Sequence, residues 1–389
     1  MVKYFFPLLA LGVILSSQVP LLHGANDAGP SSFPIQENVR FIGAPTCQSS
    51  MCHGGASPSR DQFTIWLHQD AHSRAYATLV TARSARMAES LGIASASESA
   101  RCTVCHAPFA DVPSGHLAST ANPTEGVSCE NCHNGAAAWL RSHTRPDWTY
   151  ADRLHAGLRD LRSTYVRAET CVSCHQVIDP ALLKAGHPEL TFELDGQTAS
   201  EPRHWSEKAD WSGPKAWAVG QAVALREICR QSSVQDAATP DNDAEQQALV
   251  WLVSEIRPIK TAAPPAAPMA HISRNAPANA VAAWGNMLAQ WFSTIEWSPE
   301  LTRENLTSLS STSATFTDNT TPLPERELRA ERLVLGLDRL FKSLHPEPNS
   351  PGQIELNALF AAVQDRDQFD PQKFSSLLQK FAATISPTK

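Results

Sequence analysis

The 389-residue chain carries 32 Lys and Arg against 39 Asp and Glu, a formal net charge of −7 with no basic block, which argues against a nucleic-acid partner. Hydrophobic residues make up 42% and charged residues 18%, enough apolar material for a core and too little charge for a wholly disordered chain. The length exceeds one typical domain, so two or more units are expected.

Residues 1–25 read as an export signal. Lys3 gives a positive start, an apolar run follows from Tyr4 to Leu15, and small residues close the segment at Gly24-Ala25. His23, three back from that cut, departs from the usual small residue, and an uncleaved anchor is the alternative reading. The run is too short to span a bilayer comfortably, which predicts an exported, periplasmic protein.

Nine cysteines follow, eight of them in four pairs that each precede a histidine. The pairs are Cys47 and Cys52 before His53, Cys102 and Cys105 before His106, Cys129 and Cys132 before His133, and Cys171 and Cys174 before His175. The last three have the spacing C-x-x-C-H, the signature of covalent c-type haem attachment. Two thiols so spaced reach the two vinyl groups on one edge of a porphyrin, and the adjacent imidazole lies under the iron. Zinc or disulfide use of the cysteines leaves the histidine after every pair unexplained. The first pair is widened to four intervening residues. Such a loop is tolerable if it bulges away from the ring, and Gly54-Gly55 leaves room beside His53. Four c-type haems, each with its iron, are therefore the expected cofactors.

Between the first two sites, Phe63, Trp66, Leu67, Ala71, Ala75 and Leu79 recur at helical spacing, which predicts a helix over 61–91. His68 and His72 then share one face. His72 is the candidate ligand, with His68 either a ligand or a contact to a propionate. Seven histidines that follow no cysteine pair lie between 68 and 204: His68, His72, His116, His143, His155, His187 and His204. This enrichment beside four sites favours bis-histidine ligation, which gives lower potentials than methionine. Met51, Met87, Met269 and Met287 are few, and Met51 is badly placed. His187, between Gly186 and Pro188, suits a fixed loop. His155 and His204 rank behind these, although Trp205 could pack on a porphyrin edge. His271 and His345 read as surface residues.

Over about residues 40–205 the chain resembles the tetrahaem cytochrome c-554 family. The likeness rests on Phe41-Ile-Gly-Ala-Pro-Thr-Cys47, the Trp66–Leu79 segment, Glu125-Gly-Val-Ser-Cys129-Glu-Asn-Cys132-His133, and Glu169-Thr-Cys171-Val-Ser-Cys174-His175 with Ala185-Gly-His187 beyond it. The resemblance implies electron transfer between a redox donor and an acceptor, some such proteins serving nitrogen metabolism. It implies that His72 ligates the third haem, His143 the first and His187 the fourth. In the family's namesake the second haem lacks a protein ligand on its far face; here His116 follows that site. The widened first site and the long C-terminal part also depart from the namesake.

The fold class expected is mainly α, with little regular structure around a multihaem core at 40–205 and a helical C-terminal part. That part divides into a helical extension at 206–260, a Pro/Ala linker at 261–277 and a C-terminal helical region at 278–389. Its helices are predicted at 206–231, 245–259, 278–296, 323–344 and 353–384, the last breaking near Asp370-Pro371, with 305–322 a Ser/Thr-rich loop. It is expected to pack on the haem core, a docking module being the alternative. Cys229, without a following histidine, is expected to be buried. Two functions remain open: an electron carrier, alone or in a membrane-associated redox complex, or an enzyme whose haem at His106 has an open face and reduces a small nitrogen oxide.

Overall fold

The computed structural model describes residues 39–175, 178–207, 211–234, 240–257 and 272–386; the predicted export signal, most of the Pro/Ala linker and His271 lie outside them. The protein is mainly helical, and the extended pairing among the described residues is a single parallel bridge between Phe41 and Leu117.

The first half is built of short pieces. They are α1 (Gln62–Gln69), α2 (Ala75–Leu79), α3 (Ala82–Ser90), α4 (Ala100–His106), α5 (Cys129–His133), α6 (Tyr150–His155), α7 (Thr164–His175), α8 (Pro180–Lys184) and α9 (Leu194–Ser200). Helices α4, α5 and α7 each end on the histidine of a C-x-x-C-H motif, so three of the motifs form the last helical turn of their element.

The continuous helix expected over 61–91 is broken. After α1 the backbone at Asp70 is extended (ψ 129°), and the Asp70 carboxylate caps a separate 3-10 turn at Ala71–Arg74 by accepting from the His72 N–H. Aspartate competes in this way with the helical ladder. His68 and His72 therefore do not share a helix face, and His68 is exposed.

The second half contains α10 (Gly213–Val234), α11 (Pro240–Glu255), α12 (Ala278–Thr294), α13 (Pro299–Ser310), α14 (Ala314–Thr317), α15 (Leu323–Leu344), α16 (Gln353–Val363) and α17 (Pro371–Ile385). The stretch 305–322, expected to be a loop, is largely helix. Ser298 caps α13 by accepting from Leu301 N–H, Pro299 sits in its first turn, and Leu301, Leu306 and Leu309 are buried at helical spacing. The hydroxyls that made the stretch look loop-like bond back along the helix, as from Ser310 to the Thr307 carbonyl.

At the centre lies α10, buried along nearly its whole length. Small residues let neighbours approach it. A Cβ at Gly285 of α12 would stand 3.0 Å from the Ala222 carbonyl, and one at Gly336 of α15 would stand 2.5 Å from the Trp217 ring. Trp217 fills that notch with no exposed surface. The same apolar cluster takes in Ala168 and Val172 of α7 and Phe192 and Leu194 at the start of α9, so the core of the helical half crosses residue 205. Polar contacts add to this junction. Arg226 pairs with Glu169 and Glu227, and the Tyr165 hydroxyl donates to Asn286 Oδ1 at 2.7 Å. Among the described residues no helix is long and apolar enough to cross a membrane.

Candidate functional site

Three imidazole pairs organise the first half. The rings of His53 and His143 lie 6.1 Å apart, those of His72 and His175 5.9 Å, and those of His106 and His187 6.3 Å, centroid to centroid. Each pair joins a histidine that follows a cysteine pair to one that does not. An iron between two imidazoles, with a metal–nitrogen bond of about 2 Å on each side plus two ring radii, requires a separation of roughly 6 Å.

Ring orientation agrees with that role. A carbonyl only accepts, so an Nδ1 that contacts one must carry the proton, leaving the Nε2 lone pair for a metal. His187 Nδ1 donates to Pro188 O at 2.8 Å, His106 Nδ1 to Ala75 O at 3.2 Å, and His143 Nδ1 to Leu140 O. His53 Nδ1 bonds Gln62 Oε1 at 3.0 Å, and His72 Nδ1 bonds Asp70 Oδ1 at 2.9 Å. Burial pushes the pKa of His133 and of His175 down to about 4, so both are neutral at pH 7, the form that ligates.

Long-range contacts explain the pairing. Glu130, 1% exposed, accepts from the backbone N–H groups of Ile42, Gly43 and Ala136, tying the approach to site one and the segment before His143 onto α5. Trp139 packs edge-on against the His143 ring at 5.4 Å. His187 follows α8, which ends in a tight turn: Gly186 adopts φ +99° and His187 N–H donates to Leu182 O at 2.9 Å. Arg83 holds the Gly186 carbonyl at 2.7 Å, and Arg101 of α4 pairs with Asp179, the cap of α8. These contacts bring His187 to His106. At His72, the carbonyl accepts from Val127 N–H at 3.0 Å, and Trp66 Nε1–H donates to the Val127 carbonyl at 3.0 Å. Gly126 passes so close that a Cβ there would lie 2.7 Å from His72 O.

The resemblance pairs His72 with His133 and His187 with His175. The structure sets the His72 ring beside His175, the His187 ring beside His106 and the His143 ring beside His53. His116 has its Nδ1 2.7 Å from Val39 O, and the ring facing His106 belongs to His187. His133 is half-buried, and after burial a positive charge on His204 is the largest influence disfavouring its protonation. His204 sits in a clamped loop: Arg167 pairs with Glu207 and stacks over Trp211 at 4.3 Å. His155 closes α6, and His345 is exposed against Phe341.

The cysteines connect the four sites. Cys47 lies close enough to Cys129 to perturb its thiol, as Cys105 does to Cys174, and Cys132 lies within electrostatic reach of Cys171. The widened first site folds back on itself through Cys52 N–H to Ser49 O at 2.8 Å and Gly54 N–H to Ser49 O at 3.0 Å. Only glycine fits at 54, where a Cβ would stand 1.8 Å from Gln48 O. Met51 and Cys52 are exposed, so the extra residues bulge toward solvent. Beside His143, the buried Trp139 Nε1 has no acceptor among the described residues, as expected where a bound group completes the site. These residues fit covalently attached haem.

A family model described as cytochrome c554 and c-prime matches residues 46–134, spanning the first three attachment sites. Residues 46–134 are thus similar to the cytochrome c554 and c-prime family. No curated protein and no solved structure matches it. As a c-type cytochrome it binds haem c and exchanges electrons with redox partners. The widened first site falls inside the matched segment, and the fourth site and the helical half lie beyond it.

Proposed function

We propose that the chain is an exported tetrahaem electron carrier. Its sites are attached at Cys47/Cys52, Cys102/Cys105, Cys129/Cys132 and Cys171/Cys174, with His53, His106, His133 and His175 as proximal ligands. The distal ligands are His143 for site one, His187 for site two, His204 for site three and His72 for site four. The observation that carries this reading is the set of three ring pairs at 5.9–6.3 Å, each containing one motif histidine. When bound, the four irons supply one-electron chemistry tuned by axial ligand, burial and neighbouring hydrogen bonds. The cysteine neighbours support one neighbour order. Site one adjoins site three through Cys47 and Cys129, site three adjoins site four through Cys132 and Cys171, and site four adjoins site two through Cys174 and Cys105. Electron hopping then runs in the order one, three, four, two, with sites one and two as the ends that meet donor and acceptor.

The helical half packs behind site four through α7 and leaves the two end sites on the other elements, which supports a bracing role at 206–389. The residues at 1–25 support export to the periplasm. The competing reading, an enzyme with an open site two that reduces a small nitrogen oxide, is disfavoured by His187 opposite His106. Electron paramagnetic resonance of the oxidised protein tests this. The carrier reading expects only low-spin signals and no reaction with cyanide. A high-spin signal that cyanide removes supports the enzyme and overturns the carrier assignment at site two.

A further inference from the structure

The hydrogen bonds to the ligand histidines are not alike. His143, His187 and His204 bond backbone carbonyls, His106 bonds a backbone carbonyl and the Thr78 hydroxyl, and His53 bonds a side-chain amide. His72 alone among these bonds a carboxylate. Asp70 is 3% exposed, and its Oδ1 accepts from both the backbone N–H and Nδ1 of His72, each at 2.9 Å. The geometry is rigid: Asp70 is fixed between α1 and the following 3-10 turn, and its own N–H donates to Ile65 O at 3.3 Å. A second carboxylate, Glu201, has an oxygen within 4.8 Å of ligand-type atoms of both Asp70 and His72.

A buried carboxylate that accepts the Nδ1 proton makes the imidazole a stronger donor, and such partners orient and tune metal ligands. A stronger donor favours the ferric state and lowers the reduction potential. A carbonyl or amide oxygen carries no net charge and does this less. From this contrast we infer that Asp70 is a positioning residue that makes the His72–His175 site the lowest-potential site of the four. The low step then stands inside the chain, between sites three and two, rather than at either end. Electrons crossing from one end to the other must climb it, so it governs passage between the two halves of the conduit. The inference rests on His72 being the ligand opposite His175.

The test is redox titration of the four-haem protein with Asp70→Asn, which keeps an oxygen in place for both N–H groups and removes the charge. Four low-spin haems are expected to remain. One midpoint potential should rise by at least a tenfold change in its reduction equilibrium, about 59 mV for one electron. The other three should hold, and Asp70→Glu should restore most of the shift. Glu201→Gln, which removes a nearby charge without touching the Nδ1 bond, should move the same midpoint less. Four unchanged midpoints in Asp70→Asn, an equal rise in all four, or a larger effect from Glu201→Gln each overturn the inference while leaving the carrier reading intact. The unmodified protein gives an independent readout: one low-spin resonance should show a narrower g-spread than the others, from an axial imidazole with imidazolate character, and four alike contradict it. If His72→Met leaves all four resonances unaltered, His72 is not a ligand, and the ligand assignment fails instead.

Discussion

Residues 39–175 and 211–386 reach a folded state by different means. Among the described residues of the first half, the apolar clusters that stand apart from the bundle are small: Ile42, Ala136 and Trp139 in one, Leu79, Ala88 and Ala96 in the other. In the second half one cluster runs through Trp217, Leu225, Leu252, Phe292, Leu337, Phe341 and Phe374. The helical half carries one continuous apolar core, shared with α7 and the start of α9. The cytochrome half is laid out around surfaces the polypeptide does not provide. Its order comes from specific polar ties, such as Glu130 to three backbone N–H groups and Arg101 to Asp179, which position ligands without supplying a core. On the tetrahaem proposal, porphyrin plates would supply the missing apolar area.

Loss of attachment should separate the halves most sharply. Replacing Cys52, Cys105, Cys132 and Cys174 together with alanine should leave residues 60–160 open to limited proteolysis, while a fragment covering α10 to α17 persists and retains helical circular dichroism. Equal protection of both halves would break the comparison. A smaller effect is expected from Arg226→Leu, which strands Glu169 in the junction. With Glu169 about a third exposed, breaking the pair should cost less than the ~3–5 kcal/mol of a fully buried one, on the order of 1–2 kcal/mol. Urea unfolding should shift to lower denaturant by both haem absorbance and far-ultraviolet dichroism, because the pair joins α7 to α10.

Leu337→Ala, at a position with no exposed surface, should cost about 2–5 kcal/mol and lower the dichroism transition, with the haem spectrum at 25 °C unchanged. A changed spectrum would mean that the bundle core sets ligand geometry directly. The mildest change is Gly186→Ala. Nothing lies within 4 Å of the added Cβ, so the expense is the φ of +99°, on the order of 1–2 kcal/mol. It should loosen His187 and let cyanide bind site two slowly, a change visible in the Soret band.

What could be read from the sequence divides along the same line. The helix at 323–344 is legible to its end residues because Pro324 opens it and leucines recur at helical spacing. The attachment motifs are legible because their chemistry is local. The partners of the motif histidines are not, since the contacts that choose them are distant in sequence: Arg83 reaches Gly186, and Arg101 reaches Asp179. Hence the His72 ring lies beside His175, and the ring beside His106 is that of His187. A histidine before a tryptophan, as at His204, carries little signal in sequence on its own. The break at Asp70 is hidden in the sequence because the apolar spacing continues across it, and its one local signal is the aspartate between two histidines.

Intact mass of the purified, denatured and acid-extracted chain tests the central claim most directly. The account predicts a mature polypeptide carrying four covalent haems, with peptides containing Cys47–Cys52, Cys102–Cys105, Cys129–Cys132 and Cys171–Cys174 each shifted by one. An unshifted chain, or pigment that washes out in acid, would contradict it.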